Sequence, residues 1–315
     1  MCYSYPNLTV REEALIDPQA FRHDPAAYLS QRIIAFVREN PLNRLWRIDD
    51  TPIWGDPLVG FADGDDSLFE QYKTIIGPYH FTPRELIQYA AEAFPEAPYS
   101  SLDRLSVISW VLPAAEQTRE SNRQEHRAPS RRWTHTRQYG EDFNDALRYH
   151  IRDSVLEAGY LAITLPSPSP LFKRYDGGVP NAPTSNWSER HVAYVAGLGT
   201  FGLSDGFITP VGIAIRCGSV VTNLPLSPSP RPYESHVANC LYLSEGTCGE
   251  CIRRCPAGAI SRSGHDKRRC QEYTEKTLSY IKMRHGVHIA GCGLCQTGVP
   301  CEAAIPARRG VGDGP

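Results

Sequence analysis

Eight of the ten cysteines in this 315-residue chain lie between Cys240 and Cys301, and no other feature restricts the fold as tightly. At the centre stands Cys248-Gly-Glu-Cys251-Ile-Arg-Arg-Cys255-Pro256. It reproduces the last three cysteines of C-x2-C-x2-C-x3-C-P, a run whose thiolates bind four-iron clusters. In the complete run the first three cysteines and a distant one hold one [4Fe-4S] cluster, and the cysteine before proline reaches across to a second. Glu245 occupies the first position, so the run is incomplete, and Cys240 five residues upstream supplies the missing thiolate through the short loop from Leu241 to Thr247. Cys270, Cys292-Gly-Leu-Cys295 and Cys301 follow. Together they make eight ligands for two clusters.

Crossed ligation divides them into Cys240, Cys248, Cys251 and Cys301 for one cluster, and Cys255, Cys270, Cys292 and Cys295 for the other. Structural zinc is the competing reading, because paired C-x2-C hooks also build zinc ribbons. The C-x3-C-P ending, its Ala257-Gly-Ala-Ile260 continuation and the interleaved order favour clusters. The first residues, Met-Cys-Tyr-Ser-Tyr-Pro, show neither a basic region nor an apolar core, so the thiols are expected in the reducing cytoplasm, where clustered cysteines mean metal or catalysis. No stretch reaches the roughly eighteen apolar residues of a membrane helix, so no membrane partner is expected. A net charge of −2 supplies no global attraction to a phosphate backbone.

The length suggests one large domain and a smaller one. Boundaries are expected at 1–230, 231–305 and a loose basic tail at 306–315, because Ser227-Pro-Ser-Pro230 reads as an extended spacer, like Pro166-Ser-Pro-Ser-Pro170 before it. Residues 1–23 show no period. Asp24-Pro25 opens a helix to about Asn40, with Leu29, Ile33, Ile34 and Val37 on its apolar side. Pro57 to Ala62 reads as a short strand. Thr82-Pro-Arg-Glu85 is a capping box for a helix ending near Phe94-Pro95. Leu105 to Leu112 reads as a central strand. From Ala114 to Gln138 arginines interleave with Trp133 and two histidines, which reads as a long loop: either an anion clamp or a solvated segment balanced by Glu116, Glu120 and Glu125. A helix from Phe143 to Leu156, closed by Gly159, precedes strands at Tyr160–Leu165 and Val211–Thr222; the last helix spans about Gln271 to Arg284.

Gly197-Leu-Gly199-Thr-Phe-Gly202 matches G-x-G-x-x-G, but the dinucleotide fingerprint needs a strand before it, a helix after it and an acid about twenty positions on. Here helical spacing precedes, Asp205-Gly206 follows, and no acid lies between Asp205 and Glu234. NAD binding is rejected. A glycine turn that brings backbone close to another bulky ligand remains.

Arg190 to Gly202, Ile208-Thr-Pro210, Val221-Thr-Asn-Leu-Pro-Leu226, Arg269-Cys270 and Gly291-Cys-Gly-Leu-Cys-Gln296, together with Cys255-Pro256, resemble the corrinoid-dependent reductase superfamily of epoxyqueuosine reductases and reductive dehalogenases. The resemblance covers residues 100 to 305. It implies an α/β (α+β) fold, a nitroreductase-like domain holding base-off cobalamin followed by a two-cluster ferredoxin-like module. Cofactor-binding residues implied are Arg190, Gly197, Leu198, Gly199, Gly202, Ile208, Thr209, Gly218, Ser219 and Gly293. Electrons from an external donor, a ferredoxin, flavodoxin or reductase, would pass through two [4Fe-4S] clusters to the cobalamin for reductive chemistry on a small-molecule substrate. No Asp-x-His-x-x-Gly motif occurs, so histidine ligation of cobalt from such a motif is not expected.

Two departures bear on the substrate. Where epoxyqueuosine reductases carry a proton-donating aspartate seven residues before the arginine, this chain has Pro183. Little sequence follows Cys301, where many of those enzymes carry tRNA-holding helical repeats. With the near-neutral charge, this argues against tRNA as a partner. Family dehalogenases use a tyrosine helped by a cation, so Tyr139 becomes the candidate proton donor and Arg216 its electrostatic partner; the alternative is that Tyr139 only packs. Rival functions are a plain electron-transfer protein and a corrinoid-free reductase whose pocket holds a flavin or nothing.

Overall fold

The structure is a computed structural model and describes residues 16–93, 101–167, 169–178, 182–289 and 291–308. Asp17 and Asp24 open α1 (Pro18–His23) and α2 (Pro25–Glu39); their carboxylates accept the N–H of Gln19 and Ala20, and of Ala27, while each first-turn proline has no N–H to leave unpaired. β1 (Leu58–Asp63) and α3 (Ser67–Ile75) lead to α4 (Pro83–Ala93). The capping box of α4 closes both ways: Glu85 accepts the Thr82 N–H at 2.8 Å, and the Thr82 hydroxyl accepts the Glu85 N–H at 3.2 Å. Then come β2 (Ser106–Pro113), α5 (Glu116–Arg123), α6 (Arg131–Glu157), β3 (Ala162–Ile163), β4 (Arg174–Gly178), β5 (Ala182–Ser185) and α7 (Glu189–Val195). β6 (Thr200–Phe201), β7 (Phe207–Ile208) and β8 (Ile215–Thr222) precede α8 (Leu241–Glu245), α9 (Glu250–Arg254), β9 (Ile260–Ser261), β10 (Gly264–His265) and α10 (Lys267–His285).

The main sheet is antiparallel in the order β1-β2-β8-β3. Strand β2 is apolar without alternation because both its faces are covered. Ile108, Trp110 and Leu112 face a core built with Leu29, Ile33, Phe36, Phe143 and Leu147 of α2 and α6. Val107 and Val111 face the opposite core, built with Phe69, Leu86, Ile87 and Val192 of α3, α4 and α7. This mixed helix and strand architecture agrees with the fold class expected. A third apolar cluster joins Leu203, Ile208 and Ile213 to Cys240, Ile260 and Val299, and Ile281 and Val287 at the end of α10 enter the first core. The segments on either side of Pro230 thus share their cores.

Two local expectations are corrected. The stretch before Asp24 contains α1, whose single turn and a half buries only Phe21 and is too short to show a period. The supposed loop from Ala114 to Gln138 is mostly helix. Ser130 caps α6 by accepting the Trp133 N–H at 3.0 Å, and two of the basic side chains form ion pairs: Arg123 with Glu302 at 2.6 Å and Arg132 with Asp49. Phe94-Pro95, the first residues and the tail beyond Arg308 lie outside the described residues. Among the described residues no helix is long and apolar enough to cross a membrane.

Gly218 of β8 lies flat against Trp110: a Cβ there would stand 2.6 Å from the indole, which is fully buried and donates to Asn144 Oδ1 at 2.9 Å. Gly218→Ala is expected to cost about 1–3 kcal/mol through overpacking. Urea denaturation measures it, and an unchanged midpoint would contradict this packing.

Candidate functional site

Eight free thiols gather in two adjoining places. Cys240 precedes α8, and Gly246, left-handed at φ 69°, turns the chain after that helix so that Cys248, just before α9, and Cys251 within it come back beside Cys240. With Cys301 they line one small cavity, together with the apolar Leu203, Ile208, Ile213 and Val299. Cys255 at the end of α9, Cys270 on α10, and Cys292 and Cys295 around a tight turn form part of the wall of a far larger cavity of about 1220 Å³.

The electrostatics divide the cysteines the same way. Burial first, then Cys240, Cys251 and Cys248, push the Cys301 thiol up to about 12. Burial, then Cys292 and Cys255, push Cys270 up to about 11. Cys295 is raised well above the usual thiol value by burial, then by Cys292, Cys270 and Cys255, and last by Cys251 of the other group. Thiolates this close repel one another unless cationic metal sits among them. Among the described residues no three His, Cys, Asp or Glu side chains close around a single-ion position. Zinc, with bonds of about 2.3 Å to sulfur, draws its thiolates closer together than the iron cubes do.

The opposite wall of the large cavity comes from α6, α7 and β8 and carries a buried ionic network. Arg148 binds Glu141 at 3.2 Å and Glu189 at 3.1 Å, Arg216 pairs with Glu141, and the Ser219 hydroxyl donates to Glu189 at 2.6 Å. Trp187 braces that hydroxyl with its indole N–H at 3.1 Å. Burial, with Arg137 nearby, lowers Arg216 to about 9; burial raises Glu189 against the pull of Arg148 and Ser219, and raises the Cys217 thiol to about 12.

Several residues read from sequence stand elsewhere. Tyr139 packs in the core, its ring 6.0 Å from Trp46 and 5.6 Å from His135, and is not among the residues lining the cavity. Helical geometry is the reason: Trp133, Arg137, Glu141 and Arg148, at spacings of four, four and seven, share the cavity face of α6, and Tyr139 points away from it. That spacing was a signal in the sequence, hidden by reading the stretch as a loop. Arg216 does line the cavity, as do Arg190, Gly202 and Gly293. Gly197 and Gly199 serve chain packing instead, since Cβ atoms there would meet the Pro230 and Ile208 carbonyls at 2.1 and 2.5 Å. Leu198 is buried in the α7-side core, Ile208 lines the small cysteine cavity, and the Thr209 hydroxyl donates to the Gly212 carbonyl at 2.8 Å. Gly218 abuts Trp110, and Ser219 stands behind the wall in the Glu189 network. Pro183 lines the cavity.

No family model matches the chain. It is 32% identical over 123 residues to the epoxyqueuosine reductase of Bacillus anthracis, covering 37% of this chain and 30% of that protein. It is 29% identical over 130 residues to the epoxyqueuosine reductase of Staphylococcus aureus (strain NCTC 8325 / PS 47), covering 39% of this chain and 30% of that protein. The resemblance to the corrinoid-dependent iron–sulfur reductases is borne out. The matched stretch spans under a third of either relative. Similar solved structures include the epoxyqueuosine reductase of Bacillus subtilis, with a TM-score of 0.42 at 18% identity over 90% of this chain and 67% of that one. A catabolic reductive dehalogenase has a TM-score of 0.49 at 13% identity over 89% of this chain and 37% of that one. The expectation against tRNA is corrected: a further neighbour, with a TM-score of 0.42 at 18% identity over 90% of this chain and 68% of that one, is an epoxyqueuosine reductase with a tRNA-Tyr epoxyqueuosine-modified stem loop. Net charge was a poor guide, because nucleic-acid contact depends on where cations stand and not on their sum.

Behind the cavity wall, the buried His80 stacks on Trp187 at 5.8 Å and accepts the Ser188 N–H at 3.2 Å; burial lowers it to about 4. It stays neutral in the fold while the unfolded chain takes up a proton near 6.5, so stability present above that pH is lost as pH falls toward 4. Between pH 7 and 4.5 His80 is expected to contribute a loss of about 2–3 kcal/mol. Denaturant unfolding at both values should show a smaller loss in His80→Gln; an equal loss would contradict this.

Proposed function

We propose that this chain is an iron–sulfur reductase with two [4Fe-4S] clusters, one held by Cys240, Cys248, Cys251 and Cys301 and the other by Cys255, Cys270, Cys292 and Cys295, and with a cobalamin in the cavity beside the second. The observation that carries this is the position of the second cysteine group in the wall of a cavity of about 1220 Å³, above the 300–1,000 Å³ range of ordinary small-molecule sites, with the first group directly behind. Both cofactors fit the residues present: four free thiols for each cluster, and a broad chamber with Trp133, Trp187 and Phe201 in its wall. A bound cobalamin supplies the low-potential nucleophilic metal centre that reductive cleavage of a carbon–halogen, epoxide or similar bond requires.

The chain's own part is position and exclusion. Cys251 and Cys255, four residues apart about α9, serve different groups, which forces the two clusters together. An external donor, a ferredoxin, flavodoxin or reductase, delivers electrons on the Cys240 side, the side away from the cavity. The Arg148–Glu141–Glu189 network fixes the far wall. The boundaries at 230 and 305 divide the roles of the chain, cofactor chamber and electron relay. A small halogenated or epoxide electrophile is the substrate class proposed, and epoxyqueuosine, which the relatives' name specifies, belongs in the same assay.

Anaerobically purified protein is expected to hold about eight iron and eight sulfide per chain, and Cys301→Ser and Cys270→Ser about four each, from the separate loss of one four-iron cluster. Colorimetric iron and sulfide analysis reads this out; zinc in place of iron would overturn it. After incubation with cobalamin and gel filtration, the visible spectrum should retain corrinoid bands. Cluster absorbance alone would leave an electron-transfer protein, and flavin bands a corrinoid-free reductase.

A further inference from the structure

The large cavity is lopsided in charge. Its lining carries six cationic side chains, Arg137, Arg148, Arg174, Arg190, Arg216 and Lys267, against three carboxylates. All three carboxylates are engaged: Glu141 by Arg148 and Arg216, Glu189 by Arg148 and Ser219, Asp205 by His265 at 3.1 Å and Lys267 at 3.7 Å. Arg190 donates to the Asp205 carbonyl, a neutral partner. Arg137 and Arg174 have no ion-pair or side-chain hydrogen-bond partner among the described residues. Arg137 projects from the cavity face of α6 toward the second cysteine group, its Nε 3.5 Å from where a Cβ on Gly291 would stand, one residue before Cys292.

We propose that Arg137 and Arg174, with Arg190 beside them, form a binding site for an oxyanion, a carboxylate or phosphate carried by the ligand that enters the cavity. Like charges gathered on one cavity wall, Arg137 half-buried and Arg174 and Arg190 exposed, repel one another unless an anion completes them. Consistent with this, Arg137 is held below the usual arginine value, by burial first and then by Arg190 and Arg174. A planar guanidinium fork suits carboxylate and phosphate oxygens, which it binds in pairs. The site rests on the proposed function for its identity as part of a reductase chamber, but its anion binding is measurable without cobalamin or turnover. Two sources share the chemistry: the phosphate of a cobalamin nucleotide tail and an anionic group on the substrate.

The test is thermal unfolding of cluster-loaded, cobalamin-free protein titrated with inorganic phosphate, at ionic strength held constant with sodium chloride. Phosphate is expected to raise the Tm saturably. In Arg137→Met the phosphate-free Tm should be equal or higher, because a repulsive buried charge is gone, while apparent phosphate affinity falls at least tenfold. A purely structural arginine would give the reverse, a lower Tm and an unchanged response. Arg137→Lys keeps the charge without the fork and should fall between. Arg38→Met, at an exposed pair with Asp56 far along the chain, should respond as wild type. No phosphate effect beyond chloride, or an Arg137→Met response equal to wild type, overturns the site. If cobalamin binds and abolishes the phosphate response, the nucleotide tail is the occupant; if it binds and leaves the response, the substrate anion is. If cobalamin does not bind while the phosphate response stands, the anion site is upheld and the cobalamin reading alone falls.

Discussion

Mutual repulsion among eight crowded thiols is the constraint on which the structure turns. The cysteines are gathered into two groups, and burial first, then the neighbouring cysteines, raise the proton affinity of Cys251, Cys270, Cys295 and Cys301. Such a gathering is tolerated when metal takes up the charge. The apolar residues around the first group, contributed by Leu203, Ile208 and Ile213 from the α/β part, then make the cysteine region a continuation of the larger fold and not an appendage.

The large cavity is the product of that continuity. On one side stand the ends of α9 and α10; on the other, α6 and β8 present a network in which Arg148, 3% exposed, pairs with three carboxylates, Glu141, Asp145 and Glu189. A buried arginine with three carboxylates is costly to disturb, so this wall has one arrangement. The glycines at 197 and 199, which resemble a nucleotide loop by spacing alone, act at a distance from the chamber: they let the α7 turn press against Pro230 and Ile208 and so bring the cysteine region home.

Much of this was legible in the sequence, for identifiable reasons. The strand at β2 showed itself because a strand covered on both faces is apolar throughout, and the caps at Asp24 and Thr82 because a carboxylate or hydroxyl there has one geometric job. The grouping of cysteines followed from crossed spacing. Arg137 fell within the stretch read as an anion clamp, but Glu141 and Arg148 were missed because their chemistry appears only on a helix face, and the arginine-rich composition masked the helix by resembling a loop. Tyr139 was misplaced by the same error, for two residues along a helix is more than half a turn. The expectation against tRNA drew on Pro183, on the little sequence after Cys301 and on net charge, and the last is a property of the whole chain that carries no information on any one surface.

The most direct test of the central claim is an anomalous-difference map at the iron edge from crystals of the anaerobically prepared protein. Two compact four-iron peaks are predicted, one enclosed by Cys240, Cys248, Cys251 and Cys301, the other by Cys255, Cys270, Cys292 and Cys295 at the cavity wall. Single-ion peaks, iron bound by a mixture of the two groups, or sulfurs joined in disulfides would contradict the account.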